Sequence, residues 1–115
     1  MEVIFYGYKR CNTSRKIEAA LRTHDVKIRF VDIVREPPEK AVLNRLIEKY
    51  GVEGIVRRGK LEARLLLEKE GLENLLEFLR REPNRLIRPV VIAGGEVYAG
   101  LDALKLTDSG GGLRR

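Results

Sequence analysis

Residues 3–6 read V-I-F-Y and stop at Gly7, a β-branched and aromatic run that predicts a buried strand. Residues 26–33 read V-K-I-R-F-V-D-I, whose alternation predicts a second strand. Between them Ile17, Ala20 and Leu21 share one face of a helix, and Asn12, Thr13 and Ser14 ahead of it are all good N-cap residues. Pro37 and Pro38 then break the chain, and Pro38 suits the first turn of a helix. In that helix Val42, Leu43, Leu46, Ile47 and Tyr50 recur at helical spacing up to Gly51. Residues 51–59 carry two more glycines and the Arg57-Arg58 pair, and predict a loop. Residues 61–69 predict a helix ending near Gly71, and Leu72, Leu75, Leu76 and Leu79 form a further helical stripe closed by Pro83. Residues 89–93 predict a strand, Gly94-Gly95 a two-residue hairpin turn, and residues 96–99 the returning strand. A last helix is expected over residues 101–106, and the tail SGGGLRR is flexible by composition.

The order β-α-β, several helices, then a β-hairpin and a short helix is α/β. Periodicity alone leaves several mixed arrangements open. A βαβ start followed by an antiparallel pair is the thioredoxin-like layout, here with a helical insertion, and the positions of one cysteine and one proline favour it. The expected organisation is one thioredoxin-like domain over residues 1–107, with the insertion at about 38–82 and a flexible tail over 108–115.

Composition narrows the class. A length of 115 residues, 43% apolar and 35% charged, fits one domain able to bury a core unaided. No run of eighteen apolar residues occurs, and a strand-like segment stands at the start where a secretory signal would, so the protein is read as cytoplasmic, with no membrane association. One cysteine cannot make an internal disulfide, and with one histidine there is no zinc-like ligand cluster, so no metal site is expected. The excess of 23 Lys+Arg over 17 Asp+Glu, +6, suits either a solubilising surface or attraction of an anion. Acidic residues interrupt most basic runs and the aromatics mostly fall at core-like positions, which argues against nucleic-acid binding.

The stretch YGYKRCNTSRK holds the lone cysteine. A thiol becomes a nucleophile when its thiolate is stabilised, and a helix N-terminus does this through free N–H groups and partial positive charge. Cys11 precedes the predicted helix and stands among Lys9, Arg10, Arg15 and Lys16, so it is the candidate catalytic residue. Ser14 takes the place of a dithiol's second cysteine; its hydroxyl can donate to a thiolate but cannot resolve a mixed disulfide. The same helix start, with the backbone of Asn12, Thr13, Ser14 and Arg15, can receive an oxyanion.

The second constellation is EPNRLIRPVV. An X–Pro bond is ordinarily trans. In a thioredoxin-like fold the proline opening this strand is cis and faces the cysteine loop. Arg88–Pro89 is then expected cis, with the Arg88 guanidinium turned toward Cys11 to hold an oxyanion bidentately. Arg57, Arg58 and Arg64 are candidates for a further anion-binding arm, and His24 is expected near the first helix's C-terminus, where positive charge is favoured.

With these pieces in order, YGYKRCNTSRK, VRRGKLEARLL and EPNRLIRPVVIAGGEVYAG, the chain resembles the arsenate reductase ArsC/Spx-like family over roughly residues 2–103. The resemblance implies a thioredoxin-like fold with a helical subdomain. It also implies a single cysteine, at Cys11, that attacks arsenate. Glutathione or a similar external thiol then attacks the cysteine-bound arsenic as co-substrate, and glutaredoxin completes the reduction, with no bound cofactor. Arginine ligands orient the oxyanion in those enzymes; Arg88 matches one, and Arg57 or Arg58 another. The family's third arginine has no counterpart, since small and apolar residues stand there in GGEVYAGLD. In this the chain looks most like the glutathione-using thiol reductases of the family that lack it. The alternative is a Spx-like regulator binding the C-terminal domain of the RNA polymerase α subunit; such regulators commonly sense oxidants through C-x-x-C, and Ser14 in place of the second cysteine argues against a disulfide switch. A monomer is the expected state.

Overall fold

The structure, a computed structural model, describes residues 1–107. The predicted tail falls outside them. The chain divides into two compact units: residues 1–33 together with the described residues from Arg88 onward, and residues 34–87.

The first unit carries β1 (Glu2–Gly7), α1 (Asn12–Thr23) and β2 (Lys27–Asp32), followed after the second unit by the hairpin strands Val90–Ala93 and Glu96–Ala99 and a 3₁₀ helix, Gly100–Leu104. The sheet order is β2, β1, first hairpin strand, second hairpin strand. β1 and β2 run parallel with Phe5 opposite Phe30, and β1 pairs antiparallel with the first hairpin strand, with Phe5 opposite Val91. Alternation along β1 puts Val3, Phe5 and Gly7 inward. Val3 and Phe5 meet Ile17 and Leu21 of α1, Val26, Val91, Ala93, Ala103 and Leu106 in one core. The two-glycine turn forms where expected: Ala93 pairs with Glu96, and Gly94 adopts φ 61°, which a residue with a Cβ resists. His24 closes α1, its Nδ1 2.8 Å from the Ala20 carbonyl oxygen.

The second unit is helical: α2 (Lys40–Tyr50), α3 (Val52–Ile55), α4 (Lys60–Glu70), α5 (Leu72–Arg81) and a 3₁₀ turn, Pro83–Arg85. Its buried apolar residues include Leu43, Leu46, Ala63, Leu75 and Leu79. Two details differ from the periodicity reading. Pro38 precedes α2 rather than sitting in its first turn; Glu39 is the N-cap, and the Pro38 carbonyl accepts the Arg80 Nε–H at 3.1 Å. Residues 51–59 are not a continuous loop, because Val52–Ile55 forms one helical turn and Val56 bridges to Leu86. The reason is tertiary: Ile55 and Val56 are buried at 1% and 0% exposure, and their backbone is tied by Ile87 N–H to the Ile55 carbonyl and Arg57 N–H to that of Arg85. Among the described residues no helix is long and apolar enough to cross a membrane.

With the strands numbered on, the hairpin strands Val90–Ala93 and Glu96–Ala99 are β3 and β4.

Candidate active site

The loop from β1 into α1 is short and tightly tied. The Cys11 N–H donates to the Tyr8 carbonyl at 3.0 Å, and the Tyr8 N–H donates to Ser14 Oγ, also at 3.0 Å. Ser14 is the one buried polar side chain among the described residues, at 1% exposure, so its hydroxyl oxygen is spent on fastening the loop to the helix. The hydroxyl, which could have donated to the thiolate, accepts the Tyr8 N–H, and Ser14 reaches the cysteine through its backbone N–H. Gly7 makes this closure possible. A Cβ there would lie 2.5 Å from Phe5 Cε1, 2.6 Å from Ser14 Oγ and 2.9 Å from Phe30 Cε2. Gly7→Ala is therefore expected to force Ser14 aside, destabilise the fold by about 1–3 kcal/mol and raise the Cys11 pKa. Urea unfolding and thiol titration check it, and an unchanged midpoint in both would refute the close packing.

Cys11 is the N-cap of α1, with extended backbone (φ −95°, ψ 121°) and no side-chain capping hydrogen bond of the ordinary kind. The terminal N–H groups are thus left for a charged partner. Partial burial pushes the thiol pKa up. The Ser14 N–H, the Arg88 guanidinium and the Thr13 N–H act against this by hydrogen bonding to the thiolate, and Arg88 adds its charge; the balance lies below the ordinary cysteine value. The iodoacetamide reaction rate is expected to rise with pH through a midpoint below ~8.5. Because the folded-state pKa of Cys11 is depressed, it contributes stability that is present above the unfolded-chain value and lost as pH falls through the folded one. A midpoint at or above ~8.5 would remove the activated thiolate.

Arg88 enters from the start of β3. The Arg88–Pro89 bond is cis, and the Pro89 carbonyl accepts the Gly100 N–H at 2.8 Å. The guanidinium carbon stands 4.8 Å from the centre of the Tyr8 ring, which it faces. Its Nε and Nη1 are buried and have no hydrogen-bond partner among the described residues. A part-buried guanidinium with two idle donors beside a thiolate is an arrangement that would receive an oxyanion.

The other expected residues are placed as follows. Asn12 and Thr13 open α1 with exposed side chains. Arg15 is exposed, its N–H bonded to the Cys11 carbonyl, and its side chain lines a shallow hollow on α1 with Asn12, Lys16 and Ala19. It is absent from the groups that depress the Cys11 pKa. Lys9 lies over the Phe30 ring at 4.4 Å. Arg57 and Arg58 belong to the helical unit and are exposed; Arg57 Nη1 donates to the Asn84 carbonyl at 2.7 Å. Arg64 pairs with Glu53. Tyr8, counted in the sequence among aromatics at core-like positions, instead faces the site through its ring; an aromatic just past the strand's end, inside an otherwise polar loop, was its signal.

Comparison with known proteins bears on this geometry. A model of the ArsC family matches residues 6–107. The uncharacterized protein YusI of Bacillus subtilis is 31% identical over 107 residues, spanning 87% of this chain and 91% of the relative. Among solved structures, an arsenate reductase from Vibrio cholerae superposes with a TM-score of 0.73 at 23% identity, over 94% of this chain and 97% of that one. A possible arsenate reductase from Streptococcus mutans UA159 superposes with a TM-score of 0.71 at 20% identity, over 86% and 90%. The fold is therefore thioredoxin-like, as the strand order already indicated. A family match over most of the chain, with Cys11 at a helix start and Arg88–Pro89 opening β3, leads to one conclusion: the chain belongs to the ArsC family.

Proposed function

We propose that the protein is a monothiol oxidoreductase in which the Cys11 thiolate attacks an oxyanion such as arsenate, or a glutathione-linked substrate, and an external thiol completes the turnover. One observation carries the reading: a thiolate favoured by a helix start lies beside a guanidinium with two buried, unpartnered nitrogens. Family membership and the fold shared with a Vibrio cholerae arsenate reductase support it.

With arsenate, sulfur–arsenic bond formation expels an arsenate oxygen as water. Glutathione then adds its sulfur to the arsenic in place of a second oxygen, which leaves as water. The two arsenic-bound sulfurs join as a Cys11–glutathione disulfide, the electron pair goes to arsenic, and a water taken up in their place gives arsenite; an external thiol then reduces the mixed disulfide and frees Cys11. The chain has no second cysteine to form that disulfide internally, so the resolving thiol comes from outside, with glutaredoxin as partner. Backbone N–H groups of α1 and the Arg88 charge offset the repulsion between thiolate and anion during attack. The chemistry suits a reducing compartment such as the cytoplasm and a protein that works as a monomer.

The test is NADPH oxidation coupled through glutathione reductase, glutathione and glutaredoxin, with arsenate or a glutathione mixed disulfide as substrate. Wild type is expected to turn over one of the two and Cys11→Ser neither. Equal rates in the two proteins, or no turnover of either substrate by wild type, would overturn the reading.

A further inference from the structure

Among the described residues Glu and Asp side chains pair with Arg22, Lys40, Arg64, Arg85 and Lys105, and none pairs with Arg88. What faces its guanidinium is the Tyr8 ring, 4.8 Å from the guanidinium carbon. The difference matters chemically. A carboxylate would fix the side chain but neutralise its charge and occupy its N–H donors. An aromatic face restrains a planar cation through its quadrupole and leaves the in-plane donors and the net charge available. Nε and Nη1 are both left unpartnered.

Tyr8 is itself held where it can do this. Its N–H is bonded to the buried Ser14 hydroxyl and its carbonyl to the Cys11 N–H. One residue thereby ties the nucleophile, the first turn of α1 and the anion-binding arginine to one another. We infer that Tyr8 is a positioning residue: its ring clamps the Arg88 guanidinium beside Cys11 and keeps the donors open for the substrate anion. This rests on the oxyanion reading of the site. The part of Tyr8 that does the work is the ring face, not the hydroxyl, so Tyr8→Phe keeps the function and Tyr8→Leu loses it. The backbone bonds to Ser14 and Cys11 survive in both variants.

The experiment follows alkylation of Cys11 by iodoacetamide against pH, with and without sulfate, in wild type, Tyr8→Phe, Tyr8→Leu, Arg88→Ala and Tyr8→Leu/Arg88→Ala, with circular dichroism to verify folding. Tyr8→Phe is expected to match wild type. Tyr8→Leu is expected to bind sulfate about 2- to 30-fold more weakly, the factor that corresponds to one cation–π contact, and to shift the Cys11 midpoint toward that of Arg88→Ala. Adding Tyr8→Leu to Arg88→Ala is expected to change nothing further, because the residue acts through the arginine. A Tyr8→Leu midpoint equal to wild type, a Tyr8→Phe as impaired as Tyr8→Leu, or additive losses in the double variant would each overturn the role. If sulfate protects no variant, including wild type, the oxyanion reading fails, and the midpoint comparison still decides Tyr8 by itself.

Discussion

Arg88→Ala is expected to weaken sulfate or arsenate binding at Cys11 roughly tenfold to a hundredfold, the loss of a charge-assisted contact worth ~1.5–3 kcal/mol. A thiolate and an incoming anion repel each other, so fixed positive charge must offset that repulsion before the attack geometry is populated. Arg88 is the side chain whose hydrogen bond and charge both act on Cys11. Its Nε and Nη1 are buried with no hydrogen-bond partner among the described residues, and an anion that reached them would gain charge-assisted contacts. The same substitution is expected to raise the Cys11 pKa, since the partial burial that disfavours the thiolate remains while a stabilising group is gone. Protection of Cys11 from alkylation by increasing sulfate measures the first effect, and the pH midpoint the second. Equal protection in both proteins, or none in either, would show that Arg88 has no part in anion binding.

Phe5→Ala should destabilise the protein by about 3–5 kcal/mol, a large share of the 5–15 kcal/mol typical of a domain. Phe5 is fully buried at the centre of β1, flanked in register by Phe30 on β2 and Val91 on β3. Its ring stacks on Phe30 with centroids 5.7 Å apart and an interplanar angle of 28°. Truncation loses the apolar area, the ring–ring contact and the packing around both. The neighbours are on strands held by ladder hydrogen bonds, so they cannot close the void. Urea unfolding followed by circular dichroism reads the loss directly, and a change under about 1 kcal/mol would mean that the sheet face repacks. Because Phe5 Cε1 also lies against the position of any Gly7 side chain, the void would border the cysteine loop.

Much of this architecture was legible in residue order. The hydrophobic runs located all four strands, the leucine stripe located α5, and two adjacent glycines located the hairpin turn. These are local signals, settled by side-chain period and by the backbone freedom of glycine, so no distant partner is needed to interpret them. Cys11 at a helix start is of the same kind, because the cap and the charge it offers arise within one turn. The helical turn Val52–Ile55 and the bridge from Val56 to Leu86 were not legible: a glycine-flanked segment without period becomes ordered when Ile55 and Val56 are buried against residues some thirty positions away in the chain (86 less 56).

The sequence by itself determined which residue is the candidate nucleophile, which helix start it stands at, and which arginine precedes the strand-opening proline. Tertiary structure decided what each then does. Ser14 contributes its backbone N–H to the thiolate, while its hydroxyl oxygen accepts the Tyr8 N–H in the loop that closes over Gly7. Arg88 reaches Cys11, 77 positions away in sequence (88 less 11), because β3 pairs beside β1 in the sheet. Tyr8 faces the guanidinium for the same reason. Periodicity assigns a residue to a face of its own element; only the pairing of strands sets which faces meet, and that pairing is a property of the whole buried sheet.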